Sequence, residues 1–145
     1  MVTGDVAGVP ASLKANHHNV FEAILEMNPL IASAHDVSDG GLLVAIVESA
    51  IAGSETIGAT VDLSGDKTRA DALLFGEAPA RFVISFSPKQ ADALAAVAAR
   101  RGVAYHPIGT TGGDRIDIKL ATESLSVLLT DAQQAWGSGF ADVAE

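Results

Sequence analysis

The apolar positions of this chain switch between a helical and an extended rhythm. Val20, Ile24 and Met27 form one row, with Phe21 and Leu25 beside it at i, i+4 spacing, which predicts a helix from about Leu13 to Met27. Ser12 is placed to cap its start, and Pro29 limits its continuation. Ser33 to Val37 reads as a short strand. Leu42, Leu43, Ile46, Val47, Ala50 and Ile51 give a broad apolar face to a second helix, Leu42 to Ala52, ended by Gly53 and Ser54. Ile57, Ala59, Val61 and Leu63 alternate as in a half-buried strand. Ser64 to Ala70 reads as a solvated loop. The stretch 73–81 reads as a connector in which Glu77 and Arg81 flank Pro79 as an exposed ion pair.

Phe82, Ile84 and Phe86 share one face of an expected strand from Arg81 to Phe86. Ser87 and Pro88 suit the N-cap and first position of a third helix, from about Pro88 to Arg101. Arg100 and Arg101 suit its C-terminal dipole, and Gly102 suits the position after its end. Val103 to His106 predicts a fourth strand, broken by Pro107. The run Gly109-Thr110-Thr111-Gly112-Gly113-Asp114 lacks the lysine of a phosphate-binding P-loop and precedes no helix. Arg115 to Leu120 alternates cleanly after it, so a hairpin turn between two strands is expected. Leu125, Leu128, Leu129, Ala132 and Trp136 predict a last helix, with Trp136 as a packing anchor.

Interleaved helices and strands closed by a hairpin imply an α+β fold, a mixed β-sheet covered by α-helices. The strand-helix-strand from Arg81 to His106 would be its middle. Residues 1–12 read as a linker or the end of a preceding domain, 13–136 as one domain and 137–145 as a tail.

Composition narrows the function classes. The chain is 48% hydrophobic and 19% charged, which is globular rather than disordered. It has no cysteine, which excludes disulfides, thiolate metal sites and a cysteine nucleophile. A formal net charge of -9 argues against nucleic-acid binding, which depends on Lys and Arg meeting phosphates. No apolar run is long enough for a membrane span and no secretory signal is evident, so a cytoplasmic setting is expected.

The candidate chemistry lies in His35-Asp36-Val37-Ser38-Asp39-Gly40-Gly41-Leu42. Three carboxylate or hydroxyl side chains fall within four residues, then a glycine pair, then a helix. Glycine permits positive φ and close approach. Asp and Ser accept hydrogen bonds from the free N–H groups of a first helical turn. The stretch is therefore either a ligand-binding corner or a well-made helix cap. Adjacent His17 and His18 point about a quarter-turn apart on a helix and read as surface residues rather than metal ligands. Glu48 lies off the apolar face and reads as a solvated carboxylate.

The stretch Ser33 to Leu42, followed by Glu48, resembles the signature that opens the C-terminal-type domain of the aminoimidazole ribonucleotide synthetase-related superfamily. Within it the likeness is to the phosphoribosylformylglycinamidine synthase family, large or synthetase subunit. Leu74-Phe75-Gly76-Glu77 with Arg81 is a second anchor, and Gly102-Val103 running to Ile108-Gly109-Thr110 is a third. The resemblance covers about Leu13 to Leu129. It implies a mixed sheet covered by helices. It also implies a role in purine biosynthesis, in which formylglycinamide ribonucleotide, ATP and glutamine-derived ammonia give the formylglycinamidine. The amide oxygen is phosphorylated and ammonia then attacks the activated carbon. The large subunit of such enzymes is similar to two tandem pairs of N-type and C-type domains, and this chain resembles the C-type half of the second pair.

The resemblance implies ATP and magnesium as cofactors of the intact enzyme, held mostly by N-type domains, with none required by this chain. It implies no catalytic residue and no direct metal ligand here. Asp36, Ser38, Asp39, Gly40, Gly41, Glu77 and Arg81 are the candidate substrate- or nucleotide-binding residues. Asp36 and Asp39 would take ribose hydroxyls, backbone N–H groups or metal-bound waters, since bare carboxylates repel phosphate. Gly40 and Gly41 would allow close approach, and Glu77 with Arg81 would brace the facing loop. Ala78 and Pro79 replace the Ser and Gln of related copies, which weighs against direct substrate contact by that loop. The implied partners are N-terminal-type domains of the same enzyme and a glutaminase domain or subunit. Two other readings are the C-terminal half of a thiamine-phosphate kinase-like or selenophosphate synthetase-like protein, and a self-associating structural module.

Overall fold

The computed structural model describes residues 16–138. The expectations for Ser12, for the first turn from Leu13, for residues 1–12 and for the end of the tail lie outside the described residues. Helix α1 spans His17–Met27, strand β1 Ser33–Asp36, helix α2 Gly41–Ile51 and strand β2 Ala59–Asp62. A short helix α3, Ala70–Phe75, precedes strand β3, Phe82–Ser85, and helix α4, Ala91–Arg101. Strands β4 (Gly109–Thr111), β5 (Arg115–Lys119) and β6 (Ser124–Leu128) lead into helix α5, Leu129–Ser138. Asn28–Leu30 and Pro88–Gln90 are single 3-10 turns.

The strands form two sheets. Antiparallel β1 and β3 make a two-stranded ribbon, with His35 opposite Val83 and Asp36 opposite Phe82. The other sheet has the order β4-β2-β5-β6 and is mixed, because β2 runs parallel to β5 and antiparallel to β4. The α+β expectation, a mixed sheet with helices against it, holds.

Two cores flank the ribbon. The larger joins α2 and α3 to the four-stranded sheet and α5, around Leu42, Ile46, Val61, Leu74, Ile116, Ile118 and Leu129. The smaller joins α1 to α4 through Ala23, Met27, Leu94, Val97 and Ala98. Successive strand residues point to opposite faces, so Val83 packs on the larger core and Ile84 on the smaller. On α1 the inward residues are Ala23 and Met27, while Phe21 and Leu25 are exposed. Glu26 ties α1 to α4 by ion pairs to Arg100 and Arg101, a role for those arginines beyond the helix dipole.

Several expectations are corrected. The run 109–114 is not a hairpin turn. Strand β2 lies between β4 and β5, and the run wraps the start of β2: Gly58 N–H donates to the Gly113 carbonyl, and Gly112 N–H to that of Gly58. A Cβ on Gly109 would collide with the Thr60 carbonyl, so this glycine serves strand pairing. The hairpin of the fold is β5–β6, with Ile116 opposite Val127. Leu125 and Leu128 therefore belong to a strand, and the last helix begins only at Leu129. Trp136 is 55% exposed and is no packing anchor. Val103–His106 joins no strand, so the expected strand-helix-strand unit is incomplete. The connector before β3 contains a helical turn, α3, which buries Leu73 and Leu74. Ser87 makes no side-chain cap, and Pro88 opens a 3-10 turn rather than the α-helix.

Candidate functional site

The turn between β1 and α2 is built by its glycines. Gly40 and Gly41 have φ of 79° and 76°, the left-handed region that favours glycine. A Cβ on Gly41 would sit 2.6 Å from the Phe75 carbonyl carbon and 2.7 Å from the Leu74 oxygen. The close approach that Gly41 permits is thus between the start of α2 and the end of α3. This contact brings the first and second family-like anchors together.

The helix-cap reading of the acidic residues does not hold. The N-cap of α2 is Gly40, with no side-chain cap. Gly41 N–H bonds instead to the Ser38 carbonyl at 3.0 Å. The carboxylate that does meet the turn is Glu77, whose Oε1 accepts the Gly40 N–H at 3.1 Å. Glu77 thus joins the connector before β3 to the turn. Among the described residues the side chains of Ser38 and Asp39 have no hydrogen-bond partner, and both residues are exposed.

Arg81 takes a different place. Among the described residues it makes no ion pair with Glu77, so the expected pair is absent. Its carbonyl accepts the Val37 N–H at 2.8 Å, which fastens the start of the turn to the start of β3. Its charge adds slightly to the lowering of the Asp66 pKa, which comes mainly from the Thr68 hydrogen bonds. Between Glu77 and Arg81, Ala80 has a φ of 56°, a strained conformation for a non-glycine residue.

Two functional candidates escaped the sequence reading. Glu48 is not simply solvated: its Oε2 lies 2.8 Å from His35 Nε2. His35 Nδ1 donates to the Asp36 carbonyl at 2.7 Å. The available signal was the helix length. Glu48 stands two turns into α2, about 10 Å along its axis, where the helix runs back beside β1. His18 lies 3.9 Å from Glu22 on the same helix, which fits the surface reading.

Among the described residues no group of three His, Asp or Glu side chains is placed to hold a metal ion, and no helix is long and apolar enough to cross a membrane. A shallow depression lies instead on the outer face of the four-stranded sheet, lined by Thr60, Asp117, Lys119 and Ser126. Its charges are already paired: Lys119 with Asp62, and Asp117 with Ser126, which also accepts from Arg115. The turn, with unpartnered polar side chains, is the better candidate.

Comparisons with known proteins bear on the family and the fold. The family model described as AIR synthase related protein, C-terminal domain, matches residues 4–120. Phosphoribosylformylglycinamidine synthase subunit PurL of Brucella ovis is 42% identical over 113 residues, as is that of Brucella canis. The match covers 78% of this chain and 15% of each relative. Among solved structures, phosphoribosylformylglycinamidine synthase II of Thermotoga maritima aligns with a TM-score of 0.71 at 20% identity, covering 84% of this chain and 22% of that one. T. maritima PurL complexed with FGAR aligns with a TM-score of 0.69 at 22% identity, covering 89% and 23%. These likenesses carry the fold, and the chain spans under a quarter of the length of each protein. By the family model, which matches most of its length, the chain belongs to the AIR synthase related protein, C-terminal domain family.

Proposed function

We propose that this chain is the C-terminal-type domain of a phosphoribosylformylglycinamidine synthase, and that residues 13–136 form this one domain. The corner of Asp36, Ser38, Asp39, Gly40 and Gly41, with Glu77 and Arg81, contacts a phosphorylated ribose ligand of the intact enzyme. The observation that carries this reading is the Glu77 to Gly40 bond, which closes one anchor on the other while Ser38 and Asp39 stay free. Relatives named PurL share 42% of the aligned residues, and a T. maritima PurL is described as complexed with FGAR.

The donor set limits the chemistry. Asp36 and Asp39 repel phosphate, so they accept from ribose hydroxyls or order the waters of a bound magnesium ion, while the positive end of the α2 dipole favours an anion. Two exposed carboxylates do not enclose a metal, so magnesium and ATP are held mainly by other domains. When bound, they supply the phosphoryl group that activates the amide oxygen. This chain orients ligand and has no catalytic residue of its own. Its partners are N-terminal-type domains of the same enzyme and a glutaminase domain or subunit, in the cytoplasm. A T. maritima assembly described as PurLQS supports partnership in general.

Thermal shift of the chain with magnesium ATP and with FGAR tests the reading. A saturable rise in melting temperature, lost in Asp36→Asn and Asp39→Asn, is expected. No rise with either ligand would leave the domain a purely structural part.

A further inference from the structure

The Asp36–Gly40 turn is fixed at both ends by residues outside it; Asp36 Oδ1 lies 3.9 Å from His35 Nδ1, and among the described residues the side chains of Ser38 and Asp39 make no hydrogen bond. At one end Glu77 accepts the Gly40 N–H. At the other, His35 Nδ1 donates to the Asp36 carbonyl at 2.7 Å while Nε2 faces Glu48 Oε2 at 2.8 Å. The His35 and Glu48 side chains are 28% and 22% exposed, whereas the Asp36 side chain is 61% exposed. The ring is thus half-buried, held by α2, and itself holds the carbonyl that begins the turn. Ordering a loose turn on binding weakens affinity, and contacts that order it beforehand remove that loss.

We propose that His35 and Glu48 are positioning residues for this corner. Glu48 fixes the His35 ring, and the ring fixes the Asp36 carbonyl. The turn is thereby set to present Ser38 and Asp39 to a phosphorylated ribose ligand that neither His35 nor Glu48 touches. The inference rests on the ligand-corner reading given above.

Calorimetric titration of the chain with FGAR and with magnesium ATP tests it, using wild type, Glu48→Ala, Glu48→Gln and Glu26→Ala. Gln keeps an acceptor oxygen for Nε2, and Ala removes it. Glu26→Ala loosens α1 from α4 in the smaller core and so lowers stability without touching the turn. Binding is expected to weaken about tenfold in Glu48→Ala, since small misplacements of a binding group are costly. It should recover in Glu48→Gln and stay unchanged in Glu26→Ala, with equal circular dichroism for all at the titration temperature. If Glu48→Ala does not fold, His35→Asn, which cannot span from Asp36 to Glu48, carries the same expected loss. Should the wild type bind while Glu48→Ala or His35→Asn binds equally well, or Glu26→Ala binds as weakly, the positioning role is overturned and the corner stands. Should the wild type bind neither ligand, the corner and the positioning role fall together.

Discussion

Replacing Gly41 by Ala tests the packing that joins the two anchors. At φ 76° an alanine is strained by about 1–2 kcal/mol. Its Cβ would lie 2.6–2.7 Å from three backbone atoms of Leu74 and Phe75, none of which can rotate away. Moving backbone in a packed core costs about 1–3 kcal/mol more. Gly102→Ala isolates the first contribution, because Gly102 has a φ of 65° and nothing within 4 Å of the added carbon. Both variants gain about 0.5 kcal/mol from a stiffer unfolded chain, which cancels in their difference. Urea unfolding followed by circular dichroism should therefore place Gly41→Ala about 1–3 kcal/mol below Gly102→Ala. Total destabilisation of about 2–4 kcal/mol would lower the melting temperature by about 7–15 °C in a domain of this size. Equal stabilities for the two variants would refute the close contact between α2 and α3.

Other outcomes follow from individual residues. Asp62 is held down to about 2 by the Ser64 hydroxyl first, then the Ser64 N–H and Lys119. Because the folded value is below the ordinary 3.8 of an aspartate, its stabilisation is present above pH 4 and lost as pH falls toward 2. Urea midpoints between pH 5 and pH 2.5 should fall less steeply in Asp62→Asn. Leu94→Ala empties a fully buried position between α1 and α4 and should cost about 2–5 kcal/mol by the same unfolding assay. Ala80→Gly relieves a positive φ of 56° and should raise stability by about 0.5 kcal/mol, with strain relief partly offset by chain entropy. Glu77→Ala frees the Gly40 N–H, and hydrogen exchange should show that amide opening faster while the β5 amides keep their protection.

Local patterns gave up the parts of the fold that depend on local rules. Leu42, Ala45, Ile46 and Ala50 repeat at helical spacing and are buried, and Ile116 with Ile118 alternates in a strand and is buried. What escaped depended on contacts between distant segments. The alternation of Arg115 to Leu120 showed a strand but not that β2 would insert beside it, because parallel pairing leaves no mark in the turn. Leu125, Leu128, Leu129 and Ala132 fit a helix by spacing. Yet Leu125 and Val127 are half-buried on alternate positions of β6, a period that a strand of five residues barely displays. At the candidate site the glycine pair and Glu77 were legible as anchors. Their mutual contact was not, and neither was the His35 to Glu48 pair, which needs α2 folded back along β1.

The central claim is that the turn from Asp36 to Gly41 meets a phosphorylated ribose ligand. Amide chemical-shift mapping of the labelled chain titrated with FGAR tests this most directly. Saturable shifts concentrated at residues 36–41 and 76–81, and abolished in Asp39→Asn, are expected. Shifts centred on the outer face of the four-stranded sheet, or none at all, would contradict it.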